Sequence, residues 1–370
     1  MVDVVVCGHI CVDLIPNMGG VSLDALSSPG KLFEVDHLKI APGGAVSNTG
    51  LALHKLGVAV GLMGKVGGDL LGRVIVATLS DYDPALADMI TTEAETSSSY
   101  SIVLSPAYND RIFLHCTGTN DTFGVDDVNF GALTDAKIFH LGYPPLLPKT
   151  YLDGGEQLAQ IFQRAKTQQV VTSMDTAQPD PNKASGQADW QRVLATALPH
   201  VDVFLPSLEE IVFMLRRQDY DKWDGDALAH VDRAYLHSLA GDLLQMGVAV
   251  AGFKMGHLGI YLRTTDKPDR LAELDGLNLD TSAWLGVEHY QPAFAVDVVG
   301  TTGAGDAAYG AFLAGMARGL APSGSAEMAC AVGASNAEQS DSVSGVQSWE
   351  ATRERVAAGW PTHDGGKALM

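Results

Sequence analysis

The residues best suited to chemistry lie in two glycine-rich segments and beside one isolated acid. The first segment is Val298-Val299-Gly300-Thr301-Thr302-Gly303-Ala304-Gly305-Asp306, which leads from an apolar run into a helix with apolar residues at Tyr309, Phe312, Leu313, Met316 and Leu320. Small residues at 303–305 let the backbone turn tightly and present N–H groups at a helix N-terminus, which makes an anion site. Asp306 falls in the first helical turn, where, taken alone, it is equally well explained as a cap that satisfies free amides and the helix dipole. A dinucleotide loop of the GxGxxG type is disfavoured, because the third glycine would fall at Ala308 and the segment lies near the C-terminus. A GxxxxGK[ST] phosphate loop is also absent; at Gly366-Lys367 the first glycine position holds Pro361.

The second segment, Ala41-Pro42-Gly43-Gly44-Ala45-Val46-Ser47-Asn48-Thr49, opens a helix that runs to Leu56. Two glycines admit a ligand close to the backbone, and the Asn48 amide suits sugar hydroxyls; an ordinary helix start with Asn48 bonded to backbone is the plainer alternative. Asp13 stands just after the first strand, Val4 to Gly8. The carboxyl ends of strands are where α/β sheets bind ligands, although aspartate is also a common turn residue.

These groups need a scaffold, and the hydrophobic pattern supplies one. Val2 to Gly8, Val58 to Met63, Ala136 to Leu141, Val170 to Met174, Val201 to Leu205 and Val248 to Phe253 are short apolar runs of the kind buried on both faces. Between them Ala45 to Leu56, Gly155 to Thr167 and Ala227 to Met246 have helical spacing. The alternation predicts an α/β fold, a mostly parallel central sheet flanked by helices on both faces. Two stretches break it. Leu14 to Ile40 is rich in Gly, Ser and Pro and ends in Lys31 to Asp36, which alternates like an exposed strand. Ser98 to Cys116 alternates on both sides of Pro106 to Asp110 and reads as a hairpin. We expect these segments, about 14–40 and 96–120, to form a small β-lid projecting from one edge, its apolar face covered by ligand or by a second subunit. The expected organisation is one domain over 1–350, followed by a C-terminal helix and a frayed tail over 351–370.

Composition narrows the function. The 370 residues carry 44 acidic and 24 basic side chains, a net charge of −20, which disfavours nucleic acid and anionic membrane as partners. With 46% hydrophobic and 18% charged residues a large core is available, and no run approaches the ~20 apolar residues of a membrane span. The N-terminus bears Asp3 where a signal peptide needs positive charge, and Cys7, Cys11, Cys116 and Cys330 form no Cys-x-x-Cys pair, so a reducing, cytoplasmic setting is expected. The eleven histidines show no HExxH or other metal-ligand spacing, so no structural zinc site is expected, and without a GxSxG elbow Ser-His-Asp hydrolysis is not expected either.

In combination the Gly43-Gly44-x-x-x-Asn48 and Thr301 to Asp306 segments resemble the N- and C-terminal signatures of the PfkB (ribokinase-like) carbohydrate kinases. Three further pieces fall in the family's order: Gly64 to Gly72 resembles its GxxGxDxxG block, Asp175 the acid that ends a central strand, and Lys254-Met255-Gly256-His257-Leu258-Gly259 its KxGxxG turn. The resemblance covers roughly residues 2 to 350 and implies a ribokinase-like fold with a β-lid over a sugar, ATP as phosphoryl donor and Mg²⁺ as cofactor. It implies Asp306 as general base and the amides of Gly303, Ala304, Gly305 and Asp306 as the anion hole. Asp13, Gly43, Gly44 and Asn48 would bind the acceptor, with Arg111, Asn109 and His115 of the hairpin within reach of a polar or phosphorylated one. Lys254, Gly256, Gly259, Thr301 and Asn336 would bind ATP, with Trp284, Gln291, Pro292 and Phe294 near the nucleotide unless they simply pack the core.

Two positions depart from the family pattern. The magnesium-organising NxxE motif is Ser207-Leu208-Glu209-Glu210 here; Glu210 is expected to hold Mg²⁺ through water, and the Ser207 hydroxyl in place of the usual amide is expected to weaken or rearrange that binding rather than abolish it. The acid that binds a monovalent cation in many members is Gly300, which makes a potassium requirement doubtful. The resulting expectation is a small-sugar kinase, homodimeric through its lid. Two alternatives stand beside it: a nucleoside kinase of the same family, with Phe33, Tyr100 and Phe113 as base clamp, and a sugar-binding regulator with weak turnover.

Overall fold

A computed structural model describes residues 2–27, 29–105 and 112–369. The apolar runs form strands β1 (Val4–Gly8), β2 (Cys11–Pro16), β3 (Leu38–Gly43), β4 (Val60–Gly67), β5 (Ile90–Glu93), β6 (Tyr100–Leu104), β7 (Ile112–Cys116), β8 (Ile138–Gly142), β9 (Val171–Asp175), β10 (Val203–Phe204), β11 (Val250–Lys254), β12 (Ile260–Thr264) and β13 (Glu288–Gln291). Nine of them make one sheet in the order β13-β12-β11-β10-β9-β8-β1-β4-β5. From β11 to β5 every pair is parallel, and β12 and β13 add an antiparallel edge.

The core lies on both faces of this sheet because consecutive side chains of a strand point to opposite sides. Val4 and Val6 join one apolar cluster with the helices Gly44–Lys55, Ala304–Ala317 and Pro322–Ala337; Val5 and Cys7 join the other with Glu156–Lys166, Trp190–Ala197, Leu208–Leu215 and Arg233–Gln245. Each fully buried Val or Leu contributes about 1.5–3 kcal/mol relative to exposure, so these layers fix the strand ends from which the site is built.

The other four strands form the lid, in the order β3-β2-β6-β7, with β2 and β6 parallel and the outer pairs antiparallel. The expected hairpin is there: Leu104 faces Ile112 and Tyr100 faces Cys116. The expected strand over Lys31 to Asp36 is not. That stretch lies outside any strand with Leu32 85% exposed, and the strand forms instead at β3, where Ile40 pairs with Leu14 and Pro42 with Val12. Alternation alone does not make a strand; the edge of β2 holds six residues, and β3 takes all of them.

Two other expectations are corrected. The helix expected from Ala227 starts at Arg233, where the Asp232 carboxylate accepts from the Tyr235 amide at 2.8 Å. The described residues of the tail are held rather than free: after the helix Trp349–Ala357, the Ala295 amide donates to the Pro361 carbonyl, Thr362 bridges Phe294, and Leu369 is buried.

Candidate active site

Four strands of the sheet deliver their carboxyl ends to one place. Beyond β8 stands Tyr143, beyond β1 His9, at the end of β9 Asp175 and at the end of β11 Lys254. The strands meet closely there because β1 ends in Gly8 at φ +117°, where a Cβ would lie 2.6 Å from the Gly142 carbonyl oxygen. Opposite them the helix Ala304–Ala317 begins after Gly303, whose φ of +71° and lack of a Cβ allow the turn to pack on Ser342. Asp306 sits one turn in, 4% exposed.

Three donors converge on this carboxylate. Asn48 Nδ2 donates to Oδ2 at 3.0 Å, Thr49 Oγ1 to Oδ1 at 3.3 Å, and the Tyr143 hydroxyl lies 2.8 and 2.7 Å from the two oxygens. Burial, reinforced by the Asp306 carboxylate, pushes the Tyr143 phenol well above its ordinary range, so the phenol remains a donor. Asp306 therefore turns its carboxylate away from its own helix end: it ties the helix Gly44–Lys55, the end of β8 and the glycine turn into one polar cluster.

Behind it lies a second buried charge cluster. Lys254 Nζ is 2.5 Å from Asp175 Oδ2, and Thr176 donates its amide to Asp175 and its hydroxyl to Glu210 Oε2 at 2.7 Å. The Ser207 amide donates to the same Oε2 at 3.1 Å. Burial raises the Asp175 carboxyl to about 6 against the pull of Lys254, and raises Glu210 to about 8 with help from Asp175. Burial disfavours the Lys254 charge, but Asp175, Glu210 and Asp306 outweigh it and lift its value. With Oε2 committed, Glu210 keeps Oε1 as an oxygen donor beside the cavity it lines, a set that fits a hard divalent cation held through water.

Between these clusters and the lid lies a cavity of about 1100 Å³ bordered by Asp13, Gly44, Asn48, Tyr143, Thr301 and Asp306. Asp13 projects from β2 next to Gly43, where a Cβ would meet its carboxylate at 2.6–2.7 Å. Gly44, at φ +83°, lies against His9, and a Cβ there would be 2.7 Å from the His9 carbonyl oxygen. Burial raises the Asp13 carboxyl, with the neighbouring Ser101 hydroxyl acting in the opposite direction.

The structure thus brings Asp13, Gly43, Gly44, Asn48, Thr301, Gly303, Ala304, Gly305, Asp306 and Glu210 around one cavity or directly against its walls, with Lys254 immediately behind Gly305. The Ala304 amide donates to the Thr301 carbonyl at 3.2 Å, so it closes the turn. Asn336 is fully buried and gives its amide to the carbonyls of Thr302 and Ser342, which places it under the loop. Gly256 and Gly259, both at positive φ, form the tight turn after β11. Trp284 and Phe294 are core residues, one packed edge-on against Phe312 and the other against Trp360. Asn109 and Arg111 lie outside the described residues. Of the three aromatic residues weighed as a base clamp, Phe113 borders the cavity, whereas Tyr100 packs towards the core. Sequence reasoning missed Tyr143 and Thr49; the available signals were a tyrosine between a strand end and Pro144-Pro145, and a hydroxyl next to Asn48. The Gly64 to Gly72 block serves the frame: Asp69 caps the helix Leu70–Tyr82 and accepts from the amide and hydroxyl of Ser98 just before β6.

No helix among the described residues is long and apolar enough to cross a membrane. The chain is 26% identical over 320 residues to a probable chloroplastic fructokinase of Arabidopsis thaliana, covering 86% of this chain and 70% of that one. Its fold superposes on Arabidopsis thaliana ribokinase complexed with ribose and ATP with a TM-score of 0.70 at 16% identity, over 96% of this chain and 98% of the other. A nucleoside kinase of Methanocaldococcus jannaschii gives a TM-score of 0.69 at 18% identity, over 97% and 99%. The pfkB family carbohydrate kinase model matches residues 1–349. With nearly the whole chain matched, the protein belongs to the pfkB family of carbohydrate kinases.

Proposed function

We propose that this chain transfers the γ-phosphoryl group of ATP to a hydroxyl of a small sugar, with Asp306 as general base. The observation that carries this reading is the buried Asp306 carboxylate, held by Asn48, Thr49 and Tyr143 at the foot of the glycine turn and beside the cavity that Asp13 borders. Asp13, Asn48 and the bare backbone at Gly43 and Gly44 receive the acceptor's hydroxyls; Arg111, outside the described residues, is kept as a proposed further contact on its sequence position alone. The reacting hydroxyl oxygen bonds to the γ-phosphorus as its proton passes to an Asp306 oxygen; the bond to the bridging oxygen breaks and ADP departs with that electron pair. The amides of Gly303, Gly305 and Asp306 face the transferring charge, while Ala304 holds the turn through Thr301.

On the nucleotide side we assign Thr301, Lys254 and the turn at Gly256 and Gly259, with Asn336 acting through the Thr302 carbonyl. Glu210, oriented by Thr176 and Ser207, is the residue that would hold Mg²⁺ through water. Bound there, the ion neutralises phosphate charge. Gly300 leaves no carboxylate for a monovalent cation at that position, and Asp297 nearby is exposed. The half-exposed apolar side chains Leu38, Ile40, Phe113 and Leu114 support a homodimer through the lid; the cytoplasm is the setting we propose for it.

Coupled ADP release across a panel of pentoses, hexoses, phosphorylated sugars and nucleosides tests the reading. Fructose and ribose come first, because the relatives named above are a fructokinase and a ribokinase. Turnover on one acceptor that is lost in Asp306→Asn supports it. Binding of sugar and ATP without ATP consumption, at any Mg²⁺ or K⁺ concentration, would identify a regulator instead.

A further inference from the structure

Three ligand-type side chains that are distant in sequence meet at the rim of the cavity, where the body of the protein hands over to the lid. His9 follows β1, Cys11 opens β2 and His115 lies on β7; their ligand atoms all fall within 4.8 Å of one another. The two imidazoles face each other through Nε2, 3.3 Å apart, with ring planes 50° from parallel. The second nitrogen of His115 is engaged by the Ser101 hydroxyl at 3.1 Å, which fixes the ring with Nε2 turned towards His9. His9 is 2% exposed, and its Nδ1 has no hydrogen-bond partner. Burial, above all, lowers the basicity of both rings.

We propose that His9, Cys11 and His115 form a binding site for a single Zn²⁺ ion. Zn–N bonds of about 2.0–2.1 Å in a tetrahedron place two ligand nitrogens about 3.3–3.4 Å apart, which is the separation the two rings already have. A Zn–S bond of about 2.3 Å asks for nitrogen–sulfur distances near ~3.6 Å, so Cys11 or β7 moves inward by roughly 1 Å when the metal binds. Cys11 Sγ donates to Asp13 Oδ1 at 3.6 Å and lies 4.0 Å from Ser101 Oγ, with the Asp306 carboxylate also acting on it; as Sγ bonds to the ion its proton leaves by way of Asp13 to solvent, so the affinity rises with pH. Ser101 is the outer partner that orients His115, the arrangement found around metal-bound imidazoles. Three protein ligands leave a fourth position open towards the cavity. The ion would staple β7 to the end of β1 and, resting on the kinase reading above, compete with the acceptor beside Asp13.

The test uses Co²⁺ as a spectroscopic stand-in, titrated into the untagged, reduced full-length chain, and Zn²⁺ measured by calorimetry. One metal per chain, a tetrahedral visible spectrum and a thiolate-to-cobalt charge-transfer band are expected. Cys11→Ser should lose the charge-transfer band and Cys116→Ser should keep it, with unchanged circular dichroism in both. Ser101→Ala should weaken Zn²⁺ by about 10–100-fold through loss of the His115 partner. No metal bound by the wild type, or a charge-transfer band that survives Cys11→Ser, overturns the site. These readouts require no turnover, so they stand or fall apart from the kinase reading; zinc inhibition relieved by raising the acceptor concentration would then join the two.

Discussion

A single methyl group at Gly43 tests whether Asp13 is placed for binding. Gly43 has φ −135° and ψ 170°, extended values open to any residue, so Gly43→Ala adds no backbone strain. The new Cβ would lie 2.6–2.7 Å from the three atoms of the Asp13 carboxyl group, and from nothing else as close. Relief comes from moving that carboxylate: from 2.6 Å to an ordinary 3.4 Å contact is a shift of about 0.8 Å. A misplacement near 1 Å of a group that orients a substrate costs up to ~10²-fold in rate. We therefore expect kcat/KM for the acceptor to fall about 10–100-fold, equivalent to about 1.4–2.7 kcal/mol, with most of the change in the acceptor KM and little in the KM for ATP. The melting temperature should stay close to wild type, because the buried layers of the sheet are untouched. Coupled ADP release with each substrate varied in turn, alongside a thermal melt, reads all three quantities. A kcat/KM within about three-fold of wild type, in a folded variant, would refute the placement of Asp13 as an acceptor ligand.

Other consequences can be checked in the same assays. Asp306→Asn should lower kcat by about 10²–10⁴-fold, and it should also lower stability, because the new NH₂ faces donors from Asn48, Thr49 and Tyr143; unchanged kcat would remove Asp306 from the role of base. Glu210, at about 8 in the folded chain, holds a proton there that the unfolded chain loses near its ordinary 4.5, so stability present below pH ~4.5 should decline as the pH rises to about 8. Melts of the chelated protein from pH 5 to 9 should show a smaller decline in Glu210→Gln, and identical slopes would contradict the burial argument. Replacing K⁺ by Na⁺ should change activity less than a few-fold, about 1 kcal/mol or less, since Gly300 offers no carboxylate; a strict potassium requirement would show that another group binds the cation.

How much of this was legible in the sequence follows from what local pattern can encode. The parallel strands announce themselves because both faces are covered, giving unbroken apolar runs such as Val4-Val5-Val6. The antiparallel edge strand Glu288-His289-Tyr290-Gln291 carries no such run and is held by its pairing with β12. Asp306 is visible because the glycines that shape its turn adjoin it. Tyr143 is not, because its partner is 163 residues away. The His9, Cys11 and His115 cluster escapes for the same reason: motif spacing detects ligands on one element, and here the lid folds residue 115 back over residue 9. The strand expected at Lys31 to Asp36 failed on the converse ground, a fitting local pattern without an edge to pair with.

The charges around the cavity constrain how a nucleotide can bind. Asp175, Glu210 and Asp306 share one buried ammonium, Lys254, which is already in contact with Asp175. Burial above all raises the Asp175 and Glu210 carboxyls to about 6 and about 8; Lys254 pulls both down, and a neighbouring carboxylate adds a smaller push upward, Asp306 on Asp175 and Asp175 on Glu210. A polyphosphate entering this field, in a chain of net charge −20, meets repulsion unless positive charge comes with it. On the function proposed above, the glycine turn would answer half of that difficulty: the amides of Gly303, Gly305 and Asp306 would offer dipoles to a phosphoryl group and need no counter-charge of their own. On the same reading Glu210 would answer the other half, as an acid that gives up its proton when a cation takes its place. On the function proposed above, such a cluster would favour a nucleotide arriving as its metal complex, with Lys254 reaching the nucleotide side from its ion pair with Asp175.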